Sequence, residues 1–487
     1  MAINFEKIPI DIKVPGAYAE VDPSGAKSGL ATMPARALII GTKHASGASA
    51  TALTPYLVSS AVQAADLFGQ GSMLHHMVKA WKANNGVTET WAVAMAEDGS
   101  GVAATRTLTW SGTATEDGTI YLYIGGRAIR VAVATGDAAT DVAAAVETAI
   151  DADGDGYVTA STSLAVNTLT SKWKGATALD IDARVNYRQG QSLPAGISLT
   201  IGSSSAGAVD PDVGTVIAAL GSDTQYTTIV MPYVDGDNLD AIEAELQSRW
   251  DPPRSIPGHL FVAETDSYAN LVSFGTGRNS AFVTCAACPS MPTPRWEVAA
   301  AIAAREALIS DPAVPRHDLQ LAGVLPPAES AVHTWQERNT LLGSGMSVLK
   351  VNAGAVISQR LMTMWQLNGQ GFDDDTLSDI ETVRNLAFLS YSLRYRFAVK
   401  YAKAKLAADG TKFGAGQLVL TPSGARAECL ALFRLWEDQG LVEDAKQFAD
   451  EVVCEIDANI AGRLNILLPP NLINQLRVTA AKIAFKQ

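Results

Sequence analysis

Residues 228–285 read TIVMPYVDGDNLDAIEAELQSRWDPPRSIPGHLFVAETDSYANLVSFGTGRNSAFVTC. Three short runs rich in β-branched and aromatic residues stand out: Thr228-Ile-Val-Met231, His259-Leu-Phe-Val-Ala263 and Ala281-Phe-Val-Thr-Cys285. A helical stretch near Leu239 to Trp250 separates the first two. Runs with almost no polar member suit strands covered on both faces, and strands that alternate with helices are joined in parallel. This stretch predicts βα units and a partly parallel, covered sheet.

The same rhythm extends toward the amino end. A helix is expected near Val213 to Leu220, a buried strand at Ala37-Leu-Ile-Ile-Gly41, a helical segment near Ala61 to Trp81, and a strand at Trp91-Ala-Val-Ala-Met95. Between about 98 and 208 the texture changes to Gly, Thr, Ser and Ala. Alternating runs at Thr119 to Ile124 and Ile129 to Val133 and an Ala-rich helix near Ala138 to Ile150 suggest an inserted, β-rich outer domain. Toward the carboxyl end, Thr293-Pro294 predicts a helix start, with Thr as cap and Pro at the first helical position, and Asp311-Pro312 its stop. A second helix is expected from Leu377 up to Asp409-Gly410, acidic at its start and basic at its finish, as the helix dipole favours. Unbroken, it would span about 50 Å.

The two ends carry a different pattern. Ile8, Ile10, Ile12 and Val14 alternate with Pro9, Asp11 and Lys13, followed by a turn at Pro15-Gly16. At the other end Leu476, Val478 and Ala480 alternate, then the phase shifts to Ile483 and Phe485, as a β-bulge would require. From Ile466 the tail carries Arg477, Lys482 and Lys486 and no acidic residue. Each end reads as a strand with one apolar face, which could join its own sheet or a neighbour's. The class expected is α/β with a mixed α+β sheet, a β-rich insert and extended terminal arms.

At 487 residues the chain is long enough for two or three compact units. A net charge of −13 argues against nucleic acid and anionic membranes, which need clustered Lys and Arg. No apolar run approaches membrane-spanning length and no signal sequence opens the chain, so synthesis in a cytoplasm is expected. Four cysteines, at 285, 288, 429 and 454, fit a reducing compartment.

Apparent catalytic or metal motifs fail on spacing. Asp151-Ala-Asp-Gly-Asp-Gly156 imitates half a calcium loop, but Thr162 stands where a bidentate Glu is needed. Cys285-Ala-Ala-Cys288 lacks the second pair a zinc site requires. Gly25-Ala-Lys-Ser28 lacks the glycines of a phosphate loop, and His75-His76 has no third ligand nearby. No cofactor and no metal is expected. The rival reading is an α/β enzyme or ligand-binding protein using a crevice at the strand ends.

Several segments together resemble the tail sheath family of contractile bacteriophages, most closely the sheath of Mu-like phages. They are Val14 to Glu20, Arg305 to Arg316 before Leu319 to Gly323, Glu337 to Met346, Gln359 to Thr363, Tyr395 to Tyr401, Gly440 to Asp444 and Leu468 to Val478. The resemblance implies a non-enzymatic virion subunit that polymerises as stacked hexameric rings around a tail tube and contracts to drive the tube through the host envelope. It would be assembled in the host cytoplasm. Its implied partners are itself, the tail tube protein, and the baseplate and tail terminator proteins. The division it implies is an N-terminal arm at 1–20, sheath core at 21–97 and 209–465, the insert at 98–208 and a C-terminal arm at 466–487. The arms would link subunits through Ile8, Ile10, Ile12, Val14, Tyr18, Leu476, Val478, Ile483 and Phe485. Gly16 and the Ser24-Gly25 and Ser28-Gly29 pairs would be hinges. A local excess of positive charge, Arg394, Arg396, Lys400, Lys403 and Lys405, would contact the tube. On charge alone, it reads first as a solvated helix face with a basic end that the dipole favours.

Overall fold

The structure is a computed structural model that describes residues 14–16, 30–221, 223–414 and 416–486. Packing divides the chain into two units, one of residues 33–391 with 472–487, the other built on residues 392–471.

The first unit is organised by a nine-stranded sheet. Its order is His317–Gln320, Ala355–Arg360, Ser347–Asn352, Val283–Cys288, His259–Thr265, Thr228–Val230, Arg36–Thr42, Glu89–Met95 and Pro55–Leu57. The six strands from Ser347–Asn352 to Glu89–Met95 are parallel, and the outer pairings are antiparallel. The sheet is therefore mixed, as expected. Its central runs are buried on both faces because the pleat sends alternate side chains into two cores. Ile39, Ala94, Val230 and Phe261 join one cluster; Leu38, Ile40, Val93, Ile229 and Leu260 join the other. Helices Met73–Asn84 and Arg295–Ala307 cover the first face, and helices Gly236–Trp250 and Tyr268–Thr276 the second.

Three expectations need correction. The helical segment near 61–81 is two helices, Ala61–Phe68 and Met73–Asn84, because Gly69 and Gly71 take φ of +92° and +79° between them. Side chains of Ser60 and Ser72 cap the two starts. Thr293 does not cap the Arg295–Ala307 helix: Pro294 occupies the cap position, and the Thr293 hydroxyl accepts a hydrogen bond from Leu325 N at 2.9 Å. The long helix runs only Ile380–Tyr401, about 33 Å at 1.5 Å per residue. It stops because Lys405 and Leu406 turn away to pair in parallel with Val419 and Leu420.

Residues 103–201 form two further antiparallel sheets. One has the order Ile197–Ile201, Ala103–Gly112, Val166–Lys174, Val158–Ser163; the other, Arg127–Val133, Gly118–Ile124, Ala183–Val185. Helix Ala139–Asp151 packs with them. Their buried residues, among them Trp110, Ile120, Val146 and Trp173, do not form a core apart. They belong to the same cluster as Met77, Trp81 and Trp296 of the covering helices.

The second unit packs helices Pro422–Asp438 and Ala445–Glu451 around Leu432, Phe433, Trp436 and Phe448. Phe433 and Phe448 stack at 4.2 Å, and the Trp436 indole donates to the Ser392 hydroxyl at 2.8 Å. An antiparallel hairpin, Val453–Ile456 with Leu464–Leu467, completes it.

Candidate assembly interface

Of the amino-terminal arm only Val14, Pro15 and Gly16 are described, all exposed. Ile8, Ile10, Ile12 and Tyr18, and the expected hinge pairs at Ser24-Gly25 and Ser28-Gly29, lie outside the described residues.

The carboxyl end is described to Lys486. Beyond Asn471–Leu472 it joins no strand of the described chain, so the alternation seen in the sequence has no ladder here. A strand needs a neighbour's backbone groups, and no described strand of this chain lies alongside. The apolar positions stand in solvent: Leu476, Val478, Ile483 and Phe485 are 76%, 81%, 89% and 81% exposed. Arg477, near its start, is held. Its guanidinium pairs with Asp379 and with Glu381, the latter at 3.1 Å.

The basic stretch is less free than its composition suggests. Arg396 and Lys400 both reach the carboxylate of Glu428 on the Pro422–Asp438 helix, Lys400 at 2.5 Å, and the Tyr401 hydroxyl donates to the same group at 2.9 Å. Burial pushes the Glu428 carboxyl up, yet these donors outweigh it and hold it below the usual range. Burial and the Glu428 contact raise the Tyr401 hydroxyl to about 12. Lys405 donates to Gln417 at 2.7 Å. Arg394 and Lys403 are exposed.

The acidic turn that imitates a calcium loop is satisfied within the chain. Asp153 receives two hydrogen bonds from Arg127, at 2.9 and 2.6 Å, and Asp155 pairs with Lys79 at 2.7 Å. Among the described residues no cluster of His, Cys, Asp or Glu could hold a metal ion. Cys285 and Cys288 are buried on their strand, and burial drives both thiols well above their ordinary range, Cys288 to about 12. No helix among the described residues is long and apolar enough to cross a membrane.

His75-His76, set aside on sequence, lies at an unforeseen junction. His76 stacks on Tyr157 at 4.1 Å, and the Tyr157 hydroxyl donates to Glu297 Oε1 at 2.5 Å. Trp173 meets Trp296 edge to face at 5.8 Å. These contacts join residues 157–173 to the two covering helices around a cavity of about 210 Å³. Burial lifts the Glu297 carboxyl to about 7, only partly offset by the Tyr157 bond, and holds His76 neutral. Tyr157 and Glu297 are 140 positions apart, so no local spacing could have signalled the pair.

An open groove of about 870 Å³ is lined by Arg278, Asn279, Gly343, Gly345, Trp365 and Asp373 to Asp375. Its loops precede the strands Val283–Cys288 and Ser347–Asn352, so it lies at their amino ends. Open α/β sheets bind ligands at the carboxyl ends. The crevice expected of the rival reading is not this groove.

Residues 206–361 match the family model for the phage tail sheath protein central domain, and residues 373–486 that for the phage tail sheath C-terminal domain. Over 488 residues, 100% of both chains, the sequence is 39% identical to the Mu-like prophage FluMu tail sheath protein of Haemophilus influenzae. Among solved structures, a sheath tail protein from Desulfitobacterium hafniense superposes at a TM-score of 0.48 and 11% identity, covering 94% of this chain and 100% of that one. The sheath complex of the extracellular contractile injection system PVC, in its contracted state, gives 0.48 and 11%, covering 97% and 98%.

Proposed function

The chain belongs to the phage tail sheath family, and from that premise we propose that copies of it stack as hexameric rings around a tail tube, stitched together by exchanged terminal arms. It is a structural protein of a contractile tail and not an enzyme. In this reading the rings rearrange together when the sheath shortens, the compact units moving as rigid bodies while the arms keep neighbours connected. The tube, the baseplate and the tail terminator are its partners in the virion.

The observation that carries the reading is the bare carboxyl strip. Four large apolar side chains alternate into solvent, with Lys482 and Lys486 and no acidic residue among 473–486. Covering each such side chain contributes about 2 kcal/mol, and each backbone hydrogen bond made by adding the strand to a neighbour about 1 kcal/mol. A second copy offers both at once, at the cost of ordering the strip. Deleting residues 478–487 tests it: a folded chain that no longer forms long tubes in negative stain is expected, and normal tubes would sink the reading.

Contact with the tail tube through the basic stretch is the less supported part. Because Lys400 and Arg396 neutralise Glu428, the exposed Lys403 is the better candidate. Lys403→Glu is expected to weaken decoration of purified tubes, and undiminished decoration would count against the contact.

A further inference from the structure

The carboxyl strip does not leave the body at an arbitrary point. Asp379 supplies the carbonyl that accepts the first hydrogen bonds of the Ile380–Tyr401 helix, from Thr382 and Val383. Its carboxylate is shared between Arg360, at 2.9 Å, and Arg477. Glu381, two residues on, is almost fully buried: its Oε1 accepts from Arg316 N at 2.5 Å and its Oε2 from Arg477 at 3.1 Å. A single guanidinium fork thus engages two carboxylates at the amino end of a helix, where negative charge is already favoured.

Exposure along the strip becomes unbroken after the same residue, although Leu476 just before it is already 76% exposed. Arg477 is 19% exposed in its side chain, whereas every described residue from Val478 to Lys486 is exposed. Residues 472–487 also group with the unit that holds Asp379, Glu381, Arg316 and Arg360.

We propose that Arg477 is the clamp that fixes the root of the carboxyl arm on its own subunit, so that the exchangeable segment begins at Val478. The proposal rests on the exchange of arms between copies and adds where that exchange starts. Nine residues, 478–486, then reach about 30 Å when extended. Arg477 is a positioning residue here, and a pull on the arm is borne at the start of the Ile380–Tyr401 helix.

Trypsin reads the clamp directly, because Arg477 and Lys482 are both cleavage points, one clamped and one free. In the full-length, unpolymerised chain, cleavage after Lys482 is expected to run at least tenfold faster than after Arg477. Asp379→Asn with Glu381→Gln leaves both trypsin sites intact and should bring the two rates together; if that pair fails to fold, Asp379→Asn alone should narrow the gap. Equal rates in the unaltered chain, or an unchanged gap in a folded variant, would overturn the clamp. Failure of arm exchange is a separate result: Lys482 would then stay as open to trypsin in assembled tubes as in the free chain.

Discussion

Two attachments in this chain contrast sharply: the seam that joins residues 103–201 to the covering helices, and the root of the carboxyl arm. The seam is aromatic, apolar and closed, with Trp173 on Trp296 and Tyr157 between His76 and Glu297. The arm root is a single ionic fork, and beyond it everything is in water. Burial makes an attachment permanent, since separating it exposes apolar area at about 25 cal/mol per Å². An ionic anchor on an exposed strip leaves the strip free to find another partner.

The largest expected effect breaks the seam. Trp296→Ala removes a fully buried indole from the shared core and should cost about 3–5 kcal/mol in chemical denaturation. A loss under 1 kcal/mol would show that the seam is dispensable.

Glu297→Gln sharpens the same side. The folded carboxyl sits at about 7 against 4.5 for the free group, so its contribution is fully present below pH 4.5 and is lost as pH rises through 7. The difference in stability between the unaltered chain and the variant should therefore move by up to about 3 kcal/mol across that window. His76, held neutral by burial, contributes the opposite slope, and so do the other buried histidines; taking the difference removes a distant one such as His259 but retains whatever His76 gains or loses beside Glu297. A flat difference from pH 4.5 to 7.5 would contradict the buried Glu297.

Arg477→Ala should cost about 1–3 kcal/mol, because the nearly buried Glu381 loses one donor while keeping the Arg316 backbone donor. The smallest effect falls on the arm itself. Removing 478–487 should change the unfolding free energy by less than about 0.5 kcal/mol, as expected where nothing buried is lost. A larger loss would mean that the arm packs on its own subunit.

The central sheet was readable in the sequence because its strands are apolar on both faces, and runs such as Ala37 to Gly41 have no other stable use. The alternation at Leu476, Val478, Ile483 and Phe485 was equally readable, but an alternating strip does not name its partner. Helix ends were harder: the periodicity beyond Tyr401 persists into Lys405-Leu406, where pairing with Val419-Leu420 overrides it. The positive charge at 394–405 was visible as composition, while the capture of Arg396 and Lys400 by Glu428 depended on a helix some 30 positions later. The His76, Tyr157 and Glu297 cluster left no trace, since each residue is ordinary in its own segment. The buried residues of the insert group with those of the covering helices, which its change of composition did not signal. Excising it would uncover the face of Trp296 that meets Trp173.

The tryptophan pair at the seam also gives the molecule an optical signature. Trp173 and Trp296 are both buried and nearly perpendicular, at 80°, whereas Trp335 is 66% exposed elsewhere on the same unit. Trp81, Trp110 and Trp436 are buried as well, so the pair's share is the blue emission expected to be lost when Trp173 and Trp296 are both replaced by Phe, while Trp335 should emit to the red and be open to acrylamide. A sheath that shortens with its seams closed keeps that difference between the unaltered and doubly replaced chains throughout, so unlabelled fluorescence can follow whether each subunit travels intact.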